Sequence, residues 1–269
     1  MSEKKEFTHL HVQTEYSLLD GSAKIGELVK RAKELGMDSL AITDHGAMFG
    51  VIDFYKACKE EGIKPIIGCE VYVAPKSRFD KNSRESVSYY HLVLLAENME
   101  GYQNLIKLVS LGYTEGFYYK PRVDEELLRK YHKGIIATSA CLAGPVAKTL
   151  INGSYDIAKD MALKYLDIFG EGNFYLELQD HGIPEQKTVN AGLIKMSRET
   201  GIPLICTNDV HYIKHDDWEA HDILLCIQTG KTVNDENRMR YAGNCYHLKS
   251  YEEMSQLFSY IPEAMENTN

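Results

Sequence analysis

Residues 38–46 read DSLAITDHG. Leu40, Ala41 and Ile42 form a short apolar run of the kind that makes a buried strand. Asp44, His45 and Gly46 follow at once, so an acid and an imidazole stand where that strand would leave the core. The same order recurs along the chain. Glu70 lies inside the apolar strand candidate at 64–73, and His91 opens HLVLLA at 91–96. Cys141 follows GIIATSA, and Asp209-Val210-His211 follows PLICT at 203–207. FTHLHV at 7–12 and FYLEL at 174–178 bring the strand candidates to seven.

Helical patterns separate these runs at 25–35, 54–61, 102–111, 146–151, 155–169, 186–200 and 218–227, with a short one near 251–258. Asp124 stands where it would cap a short helix carrying Leu127 and Leu128, and the polar stretch 77–90 reads as a loop. Strands alternating with helices predict an α/β fold with parallel-sheet spacing. Chemistry-bearing residues at the ends of the first strand as well as the last favour a closed barrel. A barrel gathers distant strand ends around one pocket, whereas an open sheet would leave the outer strands far from its central crevice.

Composition narrows the function classes. The chain has 269 residues, 30 Lys and Arg against 39 Asp and Glu, and a net charge of −9. Its 44% hydrophobic content can supply a core, which argues against global disorder and against a small disulfide scaffold. The negative charge argues against a non-specific DNA coat. It leaves room for a nuclease, because metal ions recruit phosphate locally. No run approaches the roughly 20 apolar residues of a membrane span. The start, MSEKKE, leads into no apolar signal core. Six cysteines without a CxxC pair read as reduced cytosolic thiols.

His9 and His11, two apart in a strand, would point to one face and approach one cation. Asp20 in YSLLDG is an oxygen donor or a turn residue. His45 is a ligand or proton-transfer group, and Asp44 suits orienting a ligand or cation. Glu70 would be costly to bury without a partner, and a carboxylate bridging two cations, or an ion pair with Lys or Arg, resolves that cost. His91, Cys141, Asp209 and His211 extend the set. Each has an ordinary reading alone: a turn, a core thiol, a hydrogen-bonded loop. Together they form a mixed nitrogen, oxygen and sulfur donor set suited to zinc, manganese or iron rather than calcium. Such ions could clamp a phosphate and activate water, which fits phosphoester hydrolysis. Lys120 and Arg122 are candidate phosphate contacts and Tyr118 and Tyr119 candidate base-stacking groups. Arg238 and Arg240 are further cations. His181, His215, His221 and His247 read as structural or surface histidines.

The stretches FTHLHVQTEYSLLDG, AITDHGAMFG, GIKPIIGCEVYV, HLVLLAENMEGYQNL, EGFYYKPRVD and TNDVHYIKHDDWEAHDILLCIQTGK span most of the chain. With them it resembles the PHP (polymerase and histidinol phosphatase) domain at the amino terminus of bacterial replicative DNA polymerase III alpha subunits. The resemblance implies a distorted seven-stranded β/α barrel, with residues 1–269 as a single PHP domain and 212–269 as an extension toward an absent polymerase core. It implies ligands at His9, His11, Asp20, His45, Glu70, His91, Cys141, Asp209 and His211 for two or three divalent ions. In that scheme His9, His11, Glu70 and Asp209 hold one ion; Glu70, His91 and Cys141 a second, with Glu70 bridging; and Asp20, His45 and His211 a third. All nine positions carry metal-capable residues. The implied activity is 3′–5′ exonuclease action on a DNA 3′ end, in a piece of a longer cytoplasmic replisome polymerase that would not itself polymerise DNA. The implied partners are the rest of the alpha subunit and other replisome subunits, with no membrane. The alternatives are a metal-stabilised scaffold without catalysis and a small-molecule phosphatase of the histidinol-phosphatase type.

Overall fold

The computed structural model describes residues 6–82 and 88–269. Seven strands form one curled sheet in a mixed α/β fold, a distorted β/α barrel. They are β1 (Ser39–Ile42), β2 (Lys64–Val73), β3 (Tyr90–Ala96), β4 (Arg122–Val123), β5 (Ile135–Thr138), β6 (Phe174–Leu178) and β7 (Leu204–Cys206). The sheet order is β1-β2-β3-β5-β6-β7, with β4 added beside β2.

Two expectations are corrected. The sheet is not wholly parallel, because β3 runs antiparallel to both β2 and β5. The connection from β2 to β3 carries no helix among its described residues, and a chain that returns without a crossover must reverse its direction. Residues 83–87 of the expected 77–90 loop lie outside the described residues. Residues 7–12 are not a regular strand either. They still lie between the sheet ends: Ala41 N–H donates to the His9 carbonyl, Thr43 N–H to the Val12 carbonyl, and Val210 N–H to the His11 carbonyl. Only Val12 forms a bridge, with Val210. The seventh strand is instead the two-residue β4.

The helices are α1 (Ile25–Glu34), α2 (Val51–Glu61), α3 (Met99–Thr114), α4 (Glu125–Tyr131), α5 (Pro145–Ile151), α6 (Tyr155–Phe169), α7 (Pro184–Thr200), α8 (Trp218–Thr229), α9 (Tyr251–Leu257) and α10 (Glu263–Glu266). Their starts follow local chemistry. Asp124 accepts Leu127 N–H at the head of α4, and Ser250 with Glu253 closes a reciprocal cap on α9. In α1, Ile25, Leu28, Val29 and Ala32 recur at helical spacing and are the buried face. Asn98 caps α3, and Gly101 in its first turn lies so close to Gly134 that a Cβ would come within 1.6 Å of the Gly134 carbonyl oxygen.

The main core packs α3–α7 against the sheet, and a second cluster lies beneath α1 and α2. Leu10, Ala41, Val93, Leu95, Ala140 and Ile205 form a third cluster drawn from β1, β3, β7 and the segments around residues 10 and 140. Residues 212–269 fold onto the same body. Met254, Phe258, Ile261, Ala264 and Met265 join the main core, and Thr268 Oγ1 accepts Thr8 N–H. No helix among the described residues is long and apolar enough to cross a membrane.

Candidate metal centre

The strand ends meet as the spacing predicts. His45 follows β1 and bridges to Glu70 of β2. His91 belongs to β3, whose reversed direction brings its first residues, rather than its last, to the same mouth; His91 sits opposite Tyr72 in the register. Cys141 follows β5, and Asp209 and His211 follow β7. The described non-glycine residues with positive φ are Leu19, Tyr119, Ala140 and Asp209. The first three immediately precede Asp20, Lys120 and Cys141, and the fourth is itself a candidate ligand. Left-handed backbone is costly for such residues and persists where surroundings impose it, commonly at functional sites.

Glu70 is the hub. Its carboxylate lies 2.7 Å from His91 Nδ1, 2.9 Å from His45 Nδ1 and 3.0 Å from His11 Nε2. Gln13 Nε2–H donates to it at 2.7 Å. His11 Nε2 is also 3.2 Å from Asp209 Oδ1, and His45 Nε2 is 2.9 Å from Asp20 Oδ2. Donor atoms close enough to share an ion therefore fall into three overlapping groups: His11, Glu70 and Asp209; His45, Glu70 and His91; Asp20, His45 and His211. A neutral imidazole has one free lone pair, so His45 can serve only one of its two groups through a nitrogen. Cys141 Sγ stands 3.9 Å from Glu70 and 4.0 Å from His91, at the edge of the second group.

His9 is not drawn into these groups. It is fully buried, and its Nε2–H donates to the Lys249 carbonyl at 2.9 Å. A carbonyl only accepts, so the lone pair of neutral His9 is on Nδ1, which has no hydrogen-bond partner. The same tautomeric logic holds elsewhere. His11 Nδ1–H donates to Glu177 at 2.7 Å, and His211 Nδ1–H to the Asp209 carbonyl at 2.7 Å. Each of these rings has one nitrogen pinned by an acceptor and the other presented as a ligand, as metal-binding histidines are oriented. His11 Nε2, His45 Nδ1 and Asp209 Oδ1 are buried and lie 2.9–3.2 Å from a charged neighbour without hydrogen-bond alignment. Buried ligand-type atoms converging on shared carboxylates fit divalent cations.

The electrostatics agree. Burial pushes the pKa of Glu70 up, and the imidazoles of His11, His45 and His91 more than offset it, holding it well below the usual carboxylate range. Burial pushes His45 down, and Glu70 and Asp20 reverse this, raising it to about 10. The cluster is built to hold positive charge, and metal binding there would release protons.

Asp44 does not touch a ligand side chain directly. Its carboxylate accepts Thr14 N–H at 2.6 Å, Thr14 Oγ1–H at 2.8 Å and Ser17 Oγ–H at 2.8 Å. Ser17 Oγ accepts His45 N–H at 3.1 Å. Asp44 thus shapes the turn between Gln13 and Asp20.

The centre opens into a cavity of about 610 Å³ whose lining includes Tyr72, Tyr89, Lys120, Arg240 and Tyr241. Lys120 and Arg240 therefore reach the cleft, whereas Tyr118, Tyr119, Arg122 and Arg238 are not in its lining. Arg122 is fully buried, donating from Nε to the Gly116 carbonyl and from Nη2 to the carbonyls of Arg78 and Asp80. Arg238 is engaged bidentately by Asp222 at 2.6 and 2.5 Å. Both are structural clamps rather than phosphate contacts. Arg122 holds the turn on which Tyr118, partly covered by the guanidinium, precedes the exposed Tyr119.

Sequence reasoning missed Glu177, Gln13 and Tyr241. Glu177 gives the same signal as Glu70, an acid inside an apolar strand. Tyr241 gives none: it comes from a polar stretch far along the chain, and its hydroxyl donates to Asp20 Oδ1 at 3.1 Å while lying 3.0 Å from His211 Nε2.

The PHP domain model matches residues 9–181, most of the barrel and of the ligand set. The chain belongs to the PHP family. Among its relatives, the DNA polymerase III subunit alpha of Borreliella burgdorferi is 49% identical across all of this chain, and that of Helicobacter pylori J99 is 50% identical, also across all of it. This chain spans 23% of the length of each. A two-domain protein from Bacteroides vulgatus, described as containing a predicted PHP-like metal-dependent phosphoesterase, aligns with a TM-score of 0.45 at 13% identity, covering 98% of this chain and 63% of that one.

Proposed function

We propose that this PHP domain is the metal-dependent phosphoesterase of a replicative DNA polymerase III alpha subunit and removes nucleotides from a DNA 3′ end. One observation carries the reading. Imidazole nitrogens of His11, His45, His91 and His211 converge with Glu70, Asp20 and Asp209 beneath an open cleft. A purely structural ion needs neither so many donors nor solvent access.

The proposed ligands are His9, His11, Asp20, His45, Glu70, His91, Cys141, Asp209 and His211, for two or three zinc, manganese or iron ions. When bound, these cations supply Lewis-acid stabilisation of phosphoryl charge and acidify water. The protein does the rest. Glu177 and the Asp209 carbonyl fix the tautomers of His11 and His211, so those ligands need no reorganisation. Gln13 orients the Glu70 carboxylate. Lys120 and Arg240 offer positive charge to phosphate oxygens in the cleft, and the exposed Tyr119 offers a ring to a base. The 3′–5′ polarity rests on the family resemblance, as do the polymerase remainder, other replisome subunits and a cytoplasmic location.

The test follows Mn²⁺-dependent hydrolysis of a 5′-labelled single-stranded oligonucleotide, with a His9→Ala, His11→Ala double variant in parallel. The expected result is a ladder shortened from the 3′ end by the unaltered chain alone. Equal digestion by both proteins assigns the signal to contamination. No digestion by a folded, metal-loaded chain overturns the nuclease reading in favour of a metal-stabilised scaffold. Cleavage of phosphomonoesters alone points to a small-molecule phosphatase.

A further inference from the structure

Tyr241 belongs to the segment 231–245, which has neither helix nor strand. Arg238 ties one part of it to α8 through Asp222, and Tyr246 ties the far end to Tyr212 and His211. Between these anchors, residues 239–244 are exposed except for Tyr241. Its ring packs among His211, His221 and Tyr246, with centroids 4.8, 5.0 and 4.9 Å away. Its hydroxyl contacts Asp20 Oδ1 and His211 Nε2, at 3.1 and 3.0 Å. Asp20 and His211 are two of the three members of one candidate metal group. His211 Nδ1 is already committed to a backbone carbonyl, so Nε2 is the only atom with which that ring can ligate. Tyr241 therefore covers the ligand atom itself.

With Arg240 it lines both the metal cleft and a second cavity of about 490 Å³ bordered by Trp218, His221, Asn234, Arg238 and Asn244. We propose that Tyr241 is a displaceable phenolic cap on the Asp20–His45–His211 site. The cation there binds last, and its entry swings Tyr241 away, moves the 231–245 segment and joins the two cavities. The inference rests on the metal-binding part of the reading above and is independent of whether DNA is the substrate. No other group with both contacts would need to move. The ion must replace the phenol's bonds to Asp20 and His211 and the proton held between His45 and Asp20.

The chain contains a single tryptophan, Trp218, in the wall of the second cavity. Its emission reports the segment without any assay of catalysis. The experiment titrates Mn²⁺ into the metal-stripped 269-residue chain, counting free ion by electron paramagnetic resonance and recording Trp218 emission. Tyr241→Phe keeps the ring packing and removes only the hydroxyl, and Asp20→Asn marks which binding phase belongs to this site. The expected result is a weakest phase, absent in Asp20→Asn, that alone carries the emission change. In Tyr241→Phe that phase tightens about tenfold, the scale of one or two net hydrogen bonds. An unchanged or weakened phase in Tyr241→Phe overturns the cap, as does the absence of any phase sensitive to Asp20→Asn. If no ion binds any of the proteins, the metal-centre reading fails with it; if ions bind and Tyr241→Phe changes nothing, only the cap fails.

Discussion

Glu177 shows how much a single residue can do without being a ligand. It is buried, and it accepts from His11, Thr138, Thr207 and Gln179. Burial raises its pKa, and His11 with these hydrogen bonds lowers it below the ordinary value, so it is held as a carboxylate. A charged acceptor behind His11 Nδ1 makes the opposite nitrogen a better donor to a cation. Glu177→Gln keeps the volume and removes the charge. The expected outcome is metal affinity lower by about 10–100-fold with the fold intact, read by competition with a chromophoric chelator. The candidate ligand residues stood out in the sequence because each is a chemical rarity in its setting: paired imidazoles two apart, an acid within IIGCEVYV, a carboxylate and an imidazole after PLICT. Arg122 and Arg238 were misread because a cation looks the same in sequence whether it meets solvent, carbonyls or an aspartate.

At the scale of elements, the turn before β4 depends on Arg122. Three backbone carbonyls at Gly116, Arg78 and Asp80 find their donors on one buried guanidinium. Gly116 is required beside it, since a Cβ there would lie 1.8 Å from the Arg122 carbonyl oxygen. This clamp sets Lys120 at the rim of the cleft. Arg122→Ala removes the donor from the buried Gly116 and Arg78 carbonyls, and each such loss costs about 1–3 kcal/mol. The expected destabilisation is about 2–4 kcal/mol in urea unfolding, partial relaxation offsetting some of the loss. Lys120→Ala, by contrast, leaves the unfolding midpoint unchanged, because its amine only lies 5.2 Å over the Tyr72 ring. A reversed strand was likewise invisible in the pattern, since apolar runs of equal length carry no direction.

For the whole molecule, the candidate ligands come from residues 7–12, from the turn after them and from segments in or after β1, β2, β3, β5 and β7. Cations bound there would tie together parts of the chain as distant as Asp20 and His211. A ligand that binds only the folded state at a hundredfold excess over its Kd adds about 2.7 kcal/mol of stability. Removing metal with a chelator is therefore expected to lower the thermal midpoint by several degrees, checked by calorimetry before and after Mn²⁺ or Zn²⁺ is restored. A midpoint indifferent to both treatments would argue against any buried polynuclear centre.

The sequence by itself determined the element types and most of the chemistry. Apolar runs of strand length, helices with their caps, and donors at strand ends are local facts, set by burial periodicity and by the rarity of unpaired charge beside a core. Tertiary structure alone decided the rest: the reversal of β3, the closure by residues 7–12 without a regular strand, the burial of Arg122 and Arg238, and the arrival of Glu177 and Tyr241 at the centre. Each depends on which distant segment lies across a few ångströms of space. That choice follows from packing the whole core at once, and no local spacing encodes it.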